Sequence, residues 1–200
     1  MKVLSEGFRV ARQLNHDSGG GLIQFETESS EVAWQGRLLE AGSETYIFSD
    51  GSRHVHDKIW HPGAVTIVPY DDTHVWLVRQ PRPASGQQAC LEIPAGKRDR
   101  DDEPLLDLAK RELVEEIGKE ASDWRVVKPF YPTPGFCDEH IMLFAATGLS
   151  DAHGGPAPDE EEYIDVVPWP LREIGAAIEE TNDGKTLIGL LWLARELRLY

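Results

Sequence analysis

The chain has 200 residues, 40% of them hydrophobic, which suits one domain of ordinary size with a real core. Its 20 Lys and Arg against 35 Asp and Glu leave a formal charge of -15, which argues against long nucleic acid as a partner, because binding a phosphate backbone needs a basic footprint. A small anionic ligand stays open, since a metal ion inverts the sign of an acidic site locally. The two cysteines, Cys90 and Cys137, read as free thiols in a reducing compartment. The opening "MKVLSEGFRVARQLNHDSGGG" has no apolar run long enough for a signal peptide, and no stretch reaches transmembrane length. The expectation is a cytoplasmic protein with no membrane partner.

Residues 1–31 are polar and irregular, broken at Gly19 to Gly21, with "GLIQFETE" as a candidate short strand; no role is assigned to them. From Val32 to His61 short alternating runs with Asp50-Gly51 as a hairpin signal predict a small antiparallel sheet. "AVTIVPY" and "HVWLVRQ", on either side of Asp71-Asp72, and then "ACLEIPAG" read as three core strands. A helix follows, with Leu106, Ala109, Leu113 and Ile117 as its apolar stripe, Pro104 in its first turn and Gly118 as its stop. Strands near "WRVVKPFY" and "IMLFAATG", the acidic loop "DAHGGPAPDEEE", the strand "YIDVVPW" and two amphipathic helices, "LREIGAAIEE" and "KTLIGLLWLARELR", complete the chain. No internal repeat or low-complexity linker divides it.

The helix carries the chemistry. Its "RELVEE" segment places Glu112, Glu115 and Glu116 together, roughly a third of a turn from the apolar stripe at 100° per residue. Acids three and four apart repel, so a cation is expected among them. A solvated face is the plain alternative, but it explains neither the glycine-bearing loop "PAGKRDRDD" that delivers the helix nor the arginine before the first acid. A metal site needs hard oxygen ligands on a rigid element and a backbone that approaches the ion closely, which Gly96 beside the Ala95 carbonyl permits. Mg²⁺ fits, with Mn²⁺ as a substitute.

Gly96, Glu103, Arg111, Glu112, Leu113, Glu115, Glu116 and Gly118 resemble the Nudix box. The chain departs from it in having six residues between Gly96 and Glu103 rather than five, and Lys119 where an aliphatic residue is usual. "HPGAVTIVP", "RQPRP", "LEIPAGK", "YPTPGFCDE" and "EEEYIDVV" resemble, in order, segments of the ADP-ribose pyrophosphatase branch, with Pro134 where that branch carries its distinguishing proline and Pro81 where an aromatic is common.

The resemblance implies a Nudix-type α/β/α sandwich with a mixed β-sheet over 62–200, preceded by a small sheet over 32–61 that pairs two copies into a homodimer. It implies hydrolysis of ADP-ribose, a nucleoside diphosphate derivative, to AMP and ribose 5-phosphate. Glu112, Glu115, Glu116 and the Ala95 carbonyl would hold the metal, with Glu115 and Arg111 in the catalytic machinery and Arg111 orienting the carboxylates. Arg82 and Arg79 would meet the pyrophosphate as forked donors, against surface charge as the alternative. In the acidic loop Glu160 and Glu162 are the candidates for general base and added ligand, in either order. Glu139 would bind a substrate ribose or cap local backbone, and Pro134 would line the substrate site. His54, His56 and His61 read as surface or packing residues. Trp34 or another N-terminal aromatic would pack in the core or stack on adenine. Other ADP-sugars, NADH, or a catalytically silent ADP-ribose sensor are the competing readings.

Overall fold

Among the residues that the computed structural model describes, 23–100, 102–153 and 163–199, the alternating runs form ten strands and the periodic ones three α-helices. Strands β1 (Phe25–Gln35), β2 (Glu40–Phe48) and β3 (Arg53–Trp60) make an antiparallel sheet in that order. The turn between β2 and β3 is the expected one: Gly51 has φ 84°, and the Asp50 carboxylate accepts the Ser52 N–H at 2.8 Å. The sheet starts earlier than Val32, because "FETESSE" pairs with β2 from Phe25 against Phe48, with a bulge between Thr27 and Ser29. Every residue of β1 is exposed. Trp34, 58% exposed, is therefore not a core residue; its ring lies over Gly36, where a Cβ would collide with it.

Strands β4 (Ala64–Pro69), β5 (His74–Arg82), β6 (Gln87–Glu92), β7 (Ala95–Lys97), β8 (Lys119–Phe130), β9 (Ile141–Asp151) and β10 (Asp165–Pro170) form the body. The order β7-β4-β9-β8 is a mixed sheet, parallel only between β4 and β9, and β10-β5-β6 is a second, antiparallel one. The expected mixed sheet is present, and a second, antiparallel sheet stands beside it. The chain changes sheet at the Asp71 turn, with only a bridge between Tyr70 and Val75 at that point.

Helix α1 (Leu105–Ile117) covers one side of this body, and α2 (Ile174–Glu180) with α3 (Gly184–Glu196) covers the other. Strand β4 alternates between the two layers. Val65 and Ile67 join Leu108, Ala109, Leu113 and Ile117 in one apolar cluster, whereas Val68 joins Leu190, Leu193 and Ala194 in the other. Leu108, not Leu106, anchors the start of the α1 stripe; Leu106 is only partly buried. Gly118 ends the helix in the left-handed conformation, φ 65°, and its N–H caps the Val114 carbonyl. Lys119, the departure just beyond, lies over the Trp76 ring at 4.1 Å and pairs with Asp151 at 2.9 Å. No helix among the described residues is long and apolar enough to cross a membrane. Both cysteines are free, Cys90 buried and Cys137 partly so.

Candidate active site

The α1 carboxylates meet β7 and the chain entering it. Gly96 stands opposite Val65 in the sheet, and a Cβ there would collide with the Cγ, Cδ and Oε1 atoms of Glu112, so only glycine admits that side chain against the backbone. The Ala95 N–H donates to Glu116 Oε2 at 3.2 Å. Glu116 is buried within the apolar stripe rather than a third of a turn from it. At 100° per residue it points between Leu108 and Leu113, and the β7 backbone supplies the polar partner that makes this burial tolerable.

Arg111 gathers the remaining acids. Its Nη1 lies 2.8 Å from Glu115 Oε2 and 3.1 Å from Glu112 Oε1. Its Nε and Nη2 each reach Glu103 at 3.3 Å, and Nη2 reaches Asp99 at 3.4 Å. Burial works against this guanidinium, but the hydrogen bond it donates to Glu103 and the charges of Glu112, Glu115 and Glu103 raise its pKa above the ordinary value. The longer loop before Glu103 therefore leaves that residue working beside Arg111. Asp99 was not singled out in the sequence; its only signal is its place in the Gly96 loop.

Among the described residues no three His, Cys, Asp or Glu side chains converge closely enough to hold an ion as they stand. The donor set nonetheless fits a hard divalent cation. Glu112, Glu115 and Glu116 offer carboxylate oxygens from one rigid helix, and the cradle at Gly96 brings backbone close to them. Arg111 supplies the positive charge that holds two of them in place.

The two arginines of "RQPRP" are bound by different acids. Arg79 pairs with Glu180 of α2 at 2.5 Å. Arg82, just past a bulge in β5, forms a fork with Glu92, Nε to Oε1 at 2.6 Å and Nη2 to Oε2 at 2.8 Å. The hydrogen bonds that Arg82 donates to Glu92, then the charges of Glu92 and Glu116, hold the Arg82 pKa above its ordinary value against the opposing effect of burial. Glu92 itself, 1% exposed, is a buried acid that the apolar run "CLEIP" conceals.

The "YPTPGFCDE" segment docks on β3. Ile59 N–H donates to the Phe136 carbonyl at 2.8 Å, the Asp138 N–H donates to the Ile59 carbonyl at 3.2 Å, and Lys58 pairs with Asp138 at 3.3 Å. Pro134 lines a cavity of about 440 Å³ between this segment and the N-terminal sheet, faced by Phe25, Tyr46, Phe48 and Tyr131. None of its lining comes from α1. Glu139 lies 3.7 Å from His61 Nε2, and the His61 Nδ1 accepts the Gly63 N–H at 3.0 Å. His54 and His56 pack edge-on against Phe48 and Tyr46. Glu160 and Glu162 lie outside the described residues.

Helix α1 thus sets three glutamates and a pairing arginine against a glycine-bearing strand, a carboxylate cluster suited to a hard divalent cation. Residues 60–188 match the family model described as NUDIX domain, and the chain belongs to that family. It is 31% identical to the methanol dehydrogenase activator of Bacillus methanolicus over 177 residues, 87% of this chain and 95% of that protein. It is 30% identical to the ADP-ribose pyrophosphatase of Bacillus subtilis (strain 168) over 174 residues, 86% of this chain and 93% of that one. A crystal structure of an ADP compounds hydrolase superposes with a TM-score of 0.77 at 26% identity, covering 90% of this chain and 97% of that chain. Nudix hydrolases generally use divalent metal ions.

Proposed function

We propose that this protein hydrolyses the pyrophosphate linkage of ADP-ribose to AMP and ribose 5-phosphate, using Mg²⁺, with Mn²⁺ as a substitute. The observation that carries this reading is the seating of Glu112 against Gly96 and of Glu116 on the Ala95 N–H, which builds a carboxylate site into the helix that the Nudix box predicts. The similarity to an ADP-ribose pyrophosphatase over 86% of the chain supports the substrate class.

Glu112, Glu115 and Glu116, with the Ala95 carbonyl, would hold the cation. When bound, such a cation neutralises phosphoryl charge and lowers the pKa of water. Arg111 keeps Glu112 and Glu115 oriented through its Nη1 and is itself braced by Glu103 and Asp99. Arg82 offers a planar donor to the pyrophosphate oxygens, and Arg79, three residues earlier in β5 and tied to Glu180, is a second donor. Of Glu160 and Glu162, one takes the proton from the attacking water and the other adds a ligand to the cation; Glu139 contacts the ribose, and Pro134 lines the substrate site. The working unit is a cytoplasmic homodimer, with 32–61 as its pairing element, 62–200 as the catalytic domain and 1–31 as an extension.

The test is AMP release from a panel of ADP-ribose, ADP-sugars and NADH, in Mg²⁺ and in EDTA, with the ADP-ribose reaction repeated in ¹⁸O-water. Label is expected on the phosphate of AMP, because attack falls on the adenosine-side phosphorus. Label on a ribose carbon overturns the mechanism. Binding of ADP-ribose without turnover makes the protein a sensor.

A further inference from the structure

Glu92 ends β6 at its buried end, with buried Leu91 and Ile93 as its neighbours, and a carboxylate there is costly unless it is paired. Its pairing is unusually complete. Oε1 accepts Arg82 Nε, and Oε2 accepts both Arg82 Nη2 and the Lys185 ammonium. Burial opposes ionisation, yet the Arg82 hydrogen bond and the Lys185 charge bring the Glu92 pKa down to about 2. Lys185 is held in turn by Asp183 at 3.0 Å. Asp183 caps α3 by accepting the Thr186 N–H at 2.9 Å and its hydroxyl at 2.5 Å, and the Thr186 oxygen accepts the Ile93 N–H at 2.9 Å. The first turn of α3 is thereby locked to the segment that continues to Ala95 and its contact with Glu116.

Arg82 differs from its two partners in exposure. Its side chain is 44% exposed, against 1% for Glu92 and 14% for Lys185, and it lines a cavity of about 460 Å³ with Pro81, Ser85, Gln87 and Asn182. A guanidinium gripped by Nε and Nη2 presents its remaining edge in one direction. An arginine ordered before binding loses less rotamer freedom when it meets a phosphoryl group.

We propose that Glu92 is a positioning residue for the hydrolysis, holding the Arg82 guanidinium toward the substrate's phosphoryl oxygens, and that Lys185 anchors Glu92 from α3. This rests on the reading of Arg82 as a pyrophosphate-binding group. It assigns the C-terminal helix a part in the site that the Nudix box does not contain.

The test is a double-mutant cycle of Glu92→Gln and Arg82→Gln, read in kcat/KM for ADP-ribose and in its Kd by calorimetry without divalent cation. Thermal unfolding of each variant is recorded alongside. Glu92→Gln alone is expected to lower kcat/KM about tenfold and to weaken binding, with little further loss when Arg82 is already Gln, the non-additivity of residues acting through one contact. A purely structural Glu92 would cost the same factor in both backgrounds, and that result overturns the proposal. If Glu92→Gln does not fold, Lys185→Gln takes its place in the cycle; non-additivity with Arg82→Gln supports the proposal and additivity sinks it. A wild type that neither hydrolyses nor binds ADP-ribose overturns the functional reading itself, a result distinct from an active wild type with additive variants.

Discussion

Glu112 and Glu116 sit on one helix four residues apart, but the backbone treats them differently. Glu112 occupies space that only Gly96 leaves open, while Glu116 accepts a hydrogen bond from Ala95. Glu112→Gln and Glu116→Gln each preserve shape and remove a charge. Each is expected to lower turnover by roughly 10²-fold, the scale of losing one group from a preorganised electrostatic site, with an unfolding temperature close to wild type. Activity across a Mg²⁺ titration, measured beside thermal unfolding, checks this; near-normal turnover in both variants rules out the metal site. The "RELVEE" pattern makes the proximity of these acids and Arg111 legible in the sequence, because helix periodicity alone brings such side chains together. The burial of Glu116 was not legible, since it depends on a strand distant in sequence supplying the N–H.

At the scale of elements, the Asp71 turn between β4 and β5 is where the chain passes from one sheet to the other. The Asp71 carboxylate accepts the Thr73 N–H and hydroxyl, each at 2.7 Å, the His74 N–H at 2.9 Å and the Trp76 indole N–H at 3.3 Å. Burial works against the charge, but these donors bring its pKa from an ordinary 3.8 down to about 2. A depressed carboxylate pKa stabilises the fold above the unfolded value, and the contribution disappears as pH falls through the folded one. Asp71→Asn, which keeps the acceptor oxygen and removes the charge, should therefore unfold at a lower temperature than wild type at pH 7. The gap should narrow steadily between pH 4 and about pH 2. A gap that is constant with pH would assign the effect to shape rather than charge.

Across the whole molecule, the N-terminal sheet is the part without a core of its own. Phe25 is 60% exposed, Trp34 58% and Val55 70%, so these three strands leave much of their apolar surface open. Its tie to the body runs through β3, where Lys58 joins Glu44 and Asp138 and the Phe136–Asp138 backbone pairs with Ile59. Pairing with a second copy would cover the open faces. Sedimentation at micromolar concentration is expected to give about twice the 22.4 kDa chain mass. A strictly monomeric, fully active protein contradicts it.

What the sequence determined by itself was local. The Nudix box, the α1 stripe from Ala109 to Ile117, the Gly118 stop and the Asp50-Gly51 hairpin follow from spacing and from backbone preference, and these act over one or two turns of chain. What only the tertiary structure decided is long-range. The split of the body into two sheets, the exposure of Trp34 and the Arg82–Glu92–Lys185 cluster each depend on which segments become neighbours. An acid inside "CLEIP" carries no periodic signal, and its meaning arises only when α3, nearly a hundred residues further along the chain, brings a lysine to its side. Charge pairing falls off with distance in space and is indifferent to distance in sequence, so such a cluster is invisible until the fold has closed around it.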